Sequence, residues 1–316
     1  MPGHTDLAPY PSPEAREREL VELAGRVAGA ELVHYGESVE GRSLDALRIP
    51  SRIAAAPRVL VCANIHGPEF IGNRVCMAML AAIVAESALL EPLRQRAELW
   101  LAPCLNPDGY ARTWACAGVG SLPTLRHNAR GVDLNRNWPL PSGERRLPLP
   151  GAGSSRPGDA TYRGVEALSE PETAALDRLL EQHDFRASAN LHSFMGVLFP
   201  ARVRERESFA GYRELCHSFT RAQAHTRYRR IASPRFDTFT GEQEDHQHHT
   251  RNCWAICVES FPLAASFAQH LRAPSLFWRF NPREPERWTA NDVPGVAAFL
   301  LAALDRPRPL RAPHDG

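Results

Sequence analysis

Arg58-Val59-Leu60-Val61-Cys62-Ala63-Asn64-Ile65-His66-Gly67-Pro68-Glu69-Phe70-Ile71-Gly72-Asn73-Arg74-Val75 decides how this chain is read. Val59 to Ala63 is an unbroken apolar run, the pattern of a buried strand. Pro68 stands where a first helical turn tolerates proline, and from Phe70 to Ala85 apolar residues recur at helical spacing. A histidine therefore sits at the exit of a strand and a glutamate three residues later, at the mouth of a helix. The two side chains can converge on one point at the lip of a sheet. Imidazole nitrogen and carboxylate oxygen are both zinc ligands, and two histidines plus one glutamate make a catalytic zinc site with an open position. A helix-start carboxylate beside a histidine satisfied elsewhere produces the same short pattern, so the rest of the chain must decide.

The 316 residues are 43% hydrophobic with a formal net charge of +1. That length supports one large α/β domain or two small ones, with a sizeable core, and the balanced charge argues against a dedicated nucleic-acid binder. Every basic side chain is an arginine; no lysine occurs, which excludes Schiff-base and lysine-nucleophile chemistry. The seven cysteines are odd in number and lie mostly in apolar runs, as reduced core thiols do. The first 25 residues lack a basic segment followed by an apolar core, and no stretch is long and apolar enough to span a bilayer. A cytoplasmic protein with no membrane contact is expected.

Outward from the opening stretch, Pro11 to Ala28 reads as a helix. Residues 31–35 and 44–49 read as two strands around the turn Glu40-Gly41-Arg42-Ser43. Residues 97–102 form another strand, and Asn106-Pro107-Asp108-Gly109 is a turn signal. Tyr110 to Gly164 is rich in Gly, Pro, Ser and Arg and reads mainly as loop, above all Gly143 to Gly158. Ser169-Glu170-Pro171-Glu172 starts a helix in a capping-box-like pattern that runs to His183. Phe185 to Leu191 is a strand ending at His192-Ser193, and Ser208 to Ala224 is a helix. Arg235 to Arg251 reads as a polar, charged loop. Cys253 to Val258 is a buried strand ending at Glu259, and Val293 to Leu304 is the last helix.

Strands alternate with helices, so the class is α/β: a single-domain mixed, mostly parallel sheet flanked by helices on both faces. Residues 1–30 are expected as an N-terminal helical extension packed on the domain, 31–304 as the catalytic domain, and 305–316 as a frayed tail. Three strands end in His66, His192 and Glu259, and ligands of open α/β sheets bind at such strand ends.

His66-Gly67-Pro68-Glu69, Asn106-Pro107-Asp108-Gly109, Gly131-Val132-Asp133-Leu134-Asn135-Arg136-Asn137-Trp138, Ser169-Glu170-Pro171-Glu172-Thr173 and His192-Ser193 occur in this order. In order and spacing they resemble the M14 (carboxypeptidase A-like) zinc carboxypeptidases, and the resemblance spans about Tyr35 to Leu304. Gly36 to Arg42 and Thr161 to Gly164 resemble that family too. The resemblance implies one zinc per chain on His66, Glu69 and His192, with Glu259 as general base. It implies Arg126 as the cation for the developing oxyanion, with Arg130 as rival. Asn135 and Arg136 would grip a substrate's terminal carboxylate, which a guanidinium fork suits. The implied reaction is hydrolysis of the C-terminal amide bond of a peptide or peptide-like substrate with a free carboxylate.

The chain also departs from the family pattern. The family's mobile tyrosine would fall near Asp237, where only Phe236 and Phe239 are close by, and the last tyrosine is Tyr228. Glu244-Asp245 stands where relatives place the residue facing the substrate side chain, which suggests a basic or amine-bearing terminal residue. A solvated charged loop over Thr240 to Thr250 is the competing reading. The run Glu242 to His249 also raises a second metal site, although no ligand spacing is recognisable. Other activities compatible with the motifs are amidase action on diaminopimelate-type murein peptides and hydrolysis of N-acyl amino acids. A catalytically silent peptide-binding scaffold would require a lost ligand or base, and none is lost.

Overall fold

The computed structural model describes residues 7–149, 151–233 and 238–309. Helix α1 (Pro13–Ala24) starts with the Ser12 hydroxyl accepting from Ala15 N, and it precedes a hairpin of β1 (Glu31–Glu37) and β2 (Ser43–Ile49). The opening stretch forms β3 (Arg58–Ala63) and α2 (Phe70–Val84), followed by α3 (Glu91–Arg96) and β4 (Glu98–Ala102). Next come α4 (Pro107–Ala115), α5 (Leu122–Arg126), a 3-10 turn at Leu134–Arg136 and α6 (Pro171–His183). The chain continues through β5 (Ala187–Ser193), β6 (Val197–Pro200), α7 (Arg206–Ala222), β7 (Arg229–Arg230) and α8 (Gln243–His249). It ends with β8 (Trp254–Ser260), α9 (Leu263–Arg272), α10 (Phe277–Phe280) and α11 (Pro285–Leu304).

One sheet holds the eight strands in the order β1-β2-β4-β3-β5-β8-β6-β7. The central pairs β4–β3, β3–β5 and β5–β8 are parallel, while β1–β2, β2–β4 and β6–β8 are antiparallel. Alternate side chains of β3 feed two cores, as the period of a strand requires. Val59, Val61 and Ala63 pack with α2, α7 and α11 on one face. Leu60 and Cys62 pack with Trp100 and with Leu176, Leu179 and Leu180 of α6 on the other. Leu20 of α1 belongs to the first core. Of the segment expected to fray, residues 305–309 are fastened: Trp254 Nε1 donates to Pro307 O at 2.9 Å, and Arg308 pairs with Asp184 at 2.8 Å. Residues 310–316 lie outside the described residues. No helix among the described residues is long and apolar enough to cross a membrane.

Four expectations are corrected. Asn106-Pro107-Asp108-Gly109 opens α4 rather than a turn: Asn106 Oδ1 accepts from Gly109 N at 2.8 Å and Pro107 takes the first helical position. The same residue types serve an N-cap and a β-turn, so composition alone does not separate them. The capping box before α6 does not form, because Glu170 rather than Ser169 precedes the helix and makes no side-chain cap bond. The last helix starts at Pro285 and keeps Pro294 inside it. The charged loop of residues 235–251 contains α8, and Gln243 to His248 are buried.

Strand order reverses at β3. Its next parallel strand, β4, lies on one side and β5 on the other, so a crevice opens at the carboxyl ends of β3 and β5.

Candidate functional site

His66 follows the end of β3, while His192 and Glu259 lie near the ends of β5 and β8, directly opposite one another in the parallel register. Glu69 immediately precedes α2. The connecting loop is held by backbone-to-backbone closeness. Gly67 N donates to Arg126 O at 3.2 Å, and a Cβ on Gly67 would fall 2.2 Å from Leu125 O and 2.7 Å from Gly109 C. Only glycine permits α4 and α5 to approach this closely, and the approach delivers Arg126 to the same lip.

Three donor atoms meet there. His66 Nδ1 is 2.8 Å from Glu69 Oε1, His192 Nδ1 is 3.1 Å from Glu69 Oε2, and the two Nδ1 atoms are 3.2 Å apart. A tetrahedral ion with bonds of about 2.0–2.1 Å holds its donors roughly 3.3 Å apart, so the spacing and the N, N, O chemistry fit zinc. His66 Nε2 contacts Asp133 Oδ1 at 3.2 Å, which turns Nδ1 toward the other donors. Asp133 also receives Arg126 Nε at 2.9 Å and Asn135 N at 3.1 Å. Its role had no signal beyond its place inside the Gly131-to-Trp138 motif.

The electrostatics separate the two carboxylates of the cleft. Burial alone would raise Glu69, but His66 and His192 outweigh it and hold the carboxyl at about 2. Glu259 is pushed up to about 8, first by burial and then by the Glu69 carboxylate, against the opposing pull of Arg126. A divalent cation on the neighbouring donors would lower Glu259 from there. Neighbouring acids with such divergent environments are a mark of acid–base sites. Burial lowers His192 and so favours the neutral imidazole, the form able to bind a metal. Glu259 Oε2 and His192 Nε2 are buried without a hydrogen-bond partner.

These residues line a cleft of about 360 Å³. His66, Glu69, Arg126, Asn135, Arg136, His192, Glu244 and Glu259 all reach it. Arg130 does not line it: its side chain is largely exposed, 3.9 Å from Glu170. Asn135 Oδ1 accepts from Gln243 N at 2.9 Å, which leaves its Nδ2 for the cleft. Arg136 is fixed by Nε to Gly151 O at 2.9 Å and by NH1 to Glu242 Oε1 at 2.9 Å.

Glu244 is buried in α8, and its Oε2 has no partner. Burial first, then the neighbouring Glu242 and Asp245, raises it well above the usual carboxylate range. The solvated-loop reading of this segment is thus replaced. The histidines of α8 engage other partners: His246 contacts Asp177 at 2.6 Å, His248 contacts Tyr212 at 2.8 Å, and His249 contacts Arg202 O at 2.7 Å. Among the described residues, the groups able to hold a metal are His66-Glu69-His192 and His192-Cys257-Glu259, so Glu242 to His249 forms no second site. Sequence reasoning missed Arg202, Glu242 and Cys257 as cleft residues. Phe239 is buried with its ring 5.4 Å from that of His249, whereas Phe236 and Asp237 lie outside the described residues.

A family model described as Zinc carboxypeptidase matches residues 18–266. Carboxypeptidase D of Drosophila melanogaster is 32% identical over 194 residues, covering 58% of this chain and 13% of its own length. Carboxypeptidase A5 of Macaca fascicularis is 29% identical over 194 residues, covering 58% of this chain and 42% of its own. The chain spans less than half the length of these curated relatives. The crystal structure of carboxypeptidase A from Helicoverpa armigera matches with a TM-score of 0.74 at 20% identity, covering 94% of this chain and 74% of that one. A metallo-carboxypeptidase from Pseudomonas aeruginosa in complex with (2-guanidinoethylmercapto)succinic acid matches with a TM-score of 0.59 at 21% identity, covering 92% and 69%. At such identities the structural likeness shows the fold.

Proposed function

The chain belongs to the zinc carboxypeptidase family, and from that premise we propose that it hydrolyses the last amide bond of peptides with a free C-terminal carboxylate. The observation that carries this reading is the meeting, in one cleft, of a three-donor metal set, a glutamate whose buried Oε2 has no hydrogen-bond partner and an amide–guanidinium pair. Zinc held by His66, Glu69 and His192 would supply a Lewis acid that acidifies water and polarises the scissile carbonyl. Asn135 Nδ2 and the guanidinium of Arg136 receive the terminal carboxylate and set the adjacent amide over the three donors.

Glu259 takes a proton from the attacking water and returns it to the leaving amine, breaking the C–N bond to give a shortened peptide and a free amino acid. Arg126 stays charged: burial opposes this, but Asp133 and Glu69 outweigh it. It meets the oxygen on which negative charge develops. Glu244 faces the terminal side chain, and a cationic one would restore its ionised form. The guanidino ligand of the Pseudomonas aeruginosa neighbour is in keeping with such a preference. All seven cysteines are unpaired, which supports work in a reducing, cytoplasmic setting.

The test compares one peptide with a free and with an amidated C-terminus, read by mass spectrometry. Loss of a single residue from the free form only is expected; equal cleavage of both would remove the exopeptidase reading.

A further inference from the structure

Glu242 directly precedes α8 but makes no side-chain cap bond; it is buried, and its carboxylate pairs with arginines instead. It bridges two guanidinium groups, Arg136 NH1 at 2.9 Å and Arg202 NH1 in close contact. Arg202 NH1 also holds Asp245 Oδ2 at 3.0 Å, and its backbone N donates to Asp245 Oδ1 at 2.7 Å. The bridge is fixed by Gly241, at φ +82°, where a Cβ would fall 2.8 Å from Trp138 O and 2.9 Å from Arg136 O. That conformation and that clearance both call for glycine.

Three guanidinium groups line the cleft among the described residues: Arg126, Arg136 and Arg202. Each is already paired with a carboxylate, Arg126 with Asp133 and the other two with Glu242. At this end Arg136 and Arg202 are balanced by Glu242 and Asp245 before any substrate arrives. A terminal carboxylate adds one negative charge. An acidic terminal side chain would add a second, beside Glu242 and Glu244, with no uncommitted cation to meet it. A like charge in a site shielded from water is strongly unfavourable, and such repulsion is one way a pocket rejects the wrong ligand.

We infer that Glu242 is a specificity-determining residue, which masks Arg202 and closes the cleft to peptides ending in an acidic residue. This deepens the carboxypeptidase reading and rests on it. Removing the charge of Glu242 takes one of the two carboxylates off the Arg202 guanidinium and one negative charge out of the cleft, so a second carboxylate is repelled less.

The test uses the zinc-loaded full chain, wild type and Glu242→Gln, on two peptides that differ only in a terminal glutamine or glutamate. The wild type is expected to prefer glutamine. Glu242→Gln should shrink that preference by at least about tenfold, chiefly through a lower KM for the glutamate peptide. An unchanged preference in a folded variant overturns the inference. Calorimetric titration with N-acetylglutamate and N-acetylglutamine reads the same point without turnover. N-acetylglutamate should gain more affinity for the variant than N-acetylglutamine does, and an equal gain or none overturns the inference. If neither peptide is shortened by either protein, the carboxypeptidase reading fails while the titration still decides the role of Glu242. Should Glu242→Gln not fold, Arg202→Gln is expected to enlarge the discrimination against glutamate, and a smaller one would contradict the masking role.

Discussion

The two ends of the cleft are built by opposite means. At one end His66, Glu69 and His192 come from the ends of neighbouring parallel strands and their loops, and one carboxylate serves two imidazoles. At the other end Glu242 and Glu244 come from a short polar helix and its lead-in; Glu242 and Asp245 match the two guanidinium groups they face, and Glu244 adds a third carboxyl. Glu69 is held at about 2, whereas Glu244 is driven up by burial among its acidic neighbours. The first end is preorganised for a cation that stays. The second keeps a carboxyl oxygen without a partner, a state that a visiting substrate can complete. On the proposed function, the difference separates the residues that would run the reaction from those that would choose its substrate.

The largest effect expected at the first end follows His192→Ala. With one of three donors gone, the protein should retain no stoichiometric zinc by metal analysis and show hydrolysis at background. Full activity in a zinc-free preparation would break the assignment. At the junction of the two ends, Arg136→Ala should raise KM for free-carboxylate substrates by about 10–100-fold, the loss of a charge-assisted hydrogen bond worth roughly 1.5–3 kcal/mol. Steady-state kinetics would show it, and an unchanged KM would detach Arg136 from substrate binding.

The smallest effect sharpens the second end. The folded state raises the pKa of Glu244 above that of the unfolded chain, so between those values the unfolded state binds fewer protons. Stability is therefore lost as pH rises above about 4.5. Glu244→Gln removes that loss. Its melting temperature should exceed that of the wild type by about 2 °C or more at pH 8, with the gain vanishing near pH 4. A gain independent of pH would show that the carboxyl is not held protonated.

The same contrast explains what the sequence disclosed. The run Val59 to Ala63 and the strand ending at Glu259 have the uninterrupted apolar character of central parallel strands, so their ends could be located and the residues there singled out. Helix α8 gave no such signal, because Gln243 to His249 contains no aliphatic residue. It is buried through polar partners instead: Gln243 and Gln247 bond Asn190, Gln247 bonds Ser188, and His246 bonds Asp177. A method that counts apolar periodicity reads that segment as loop. Arg202 and Glu242 were illegible for a related reason. Their pairing joins residues forty positions apart, and nothing local to either one announces the other.

The central claim, that hydrolysis occurs at the first end with Glu259 moving the proton, is tested most directly on paired preparations of the wild type and Glu259→Gln. Zinc content and release of the terminal amino acid are measured on the same samples. Equal zinc, about one per chain, with turnover reduced by about 100-fold to 10,000-fold in the variant is the predicted result. Equal zinc with undiminished release would contradict it.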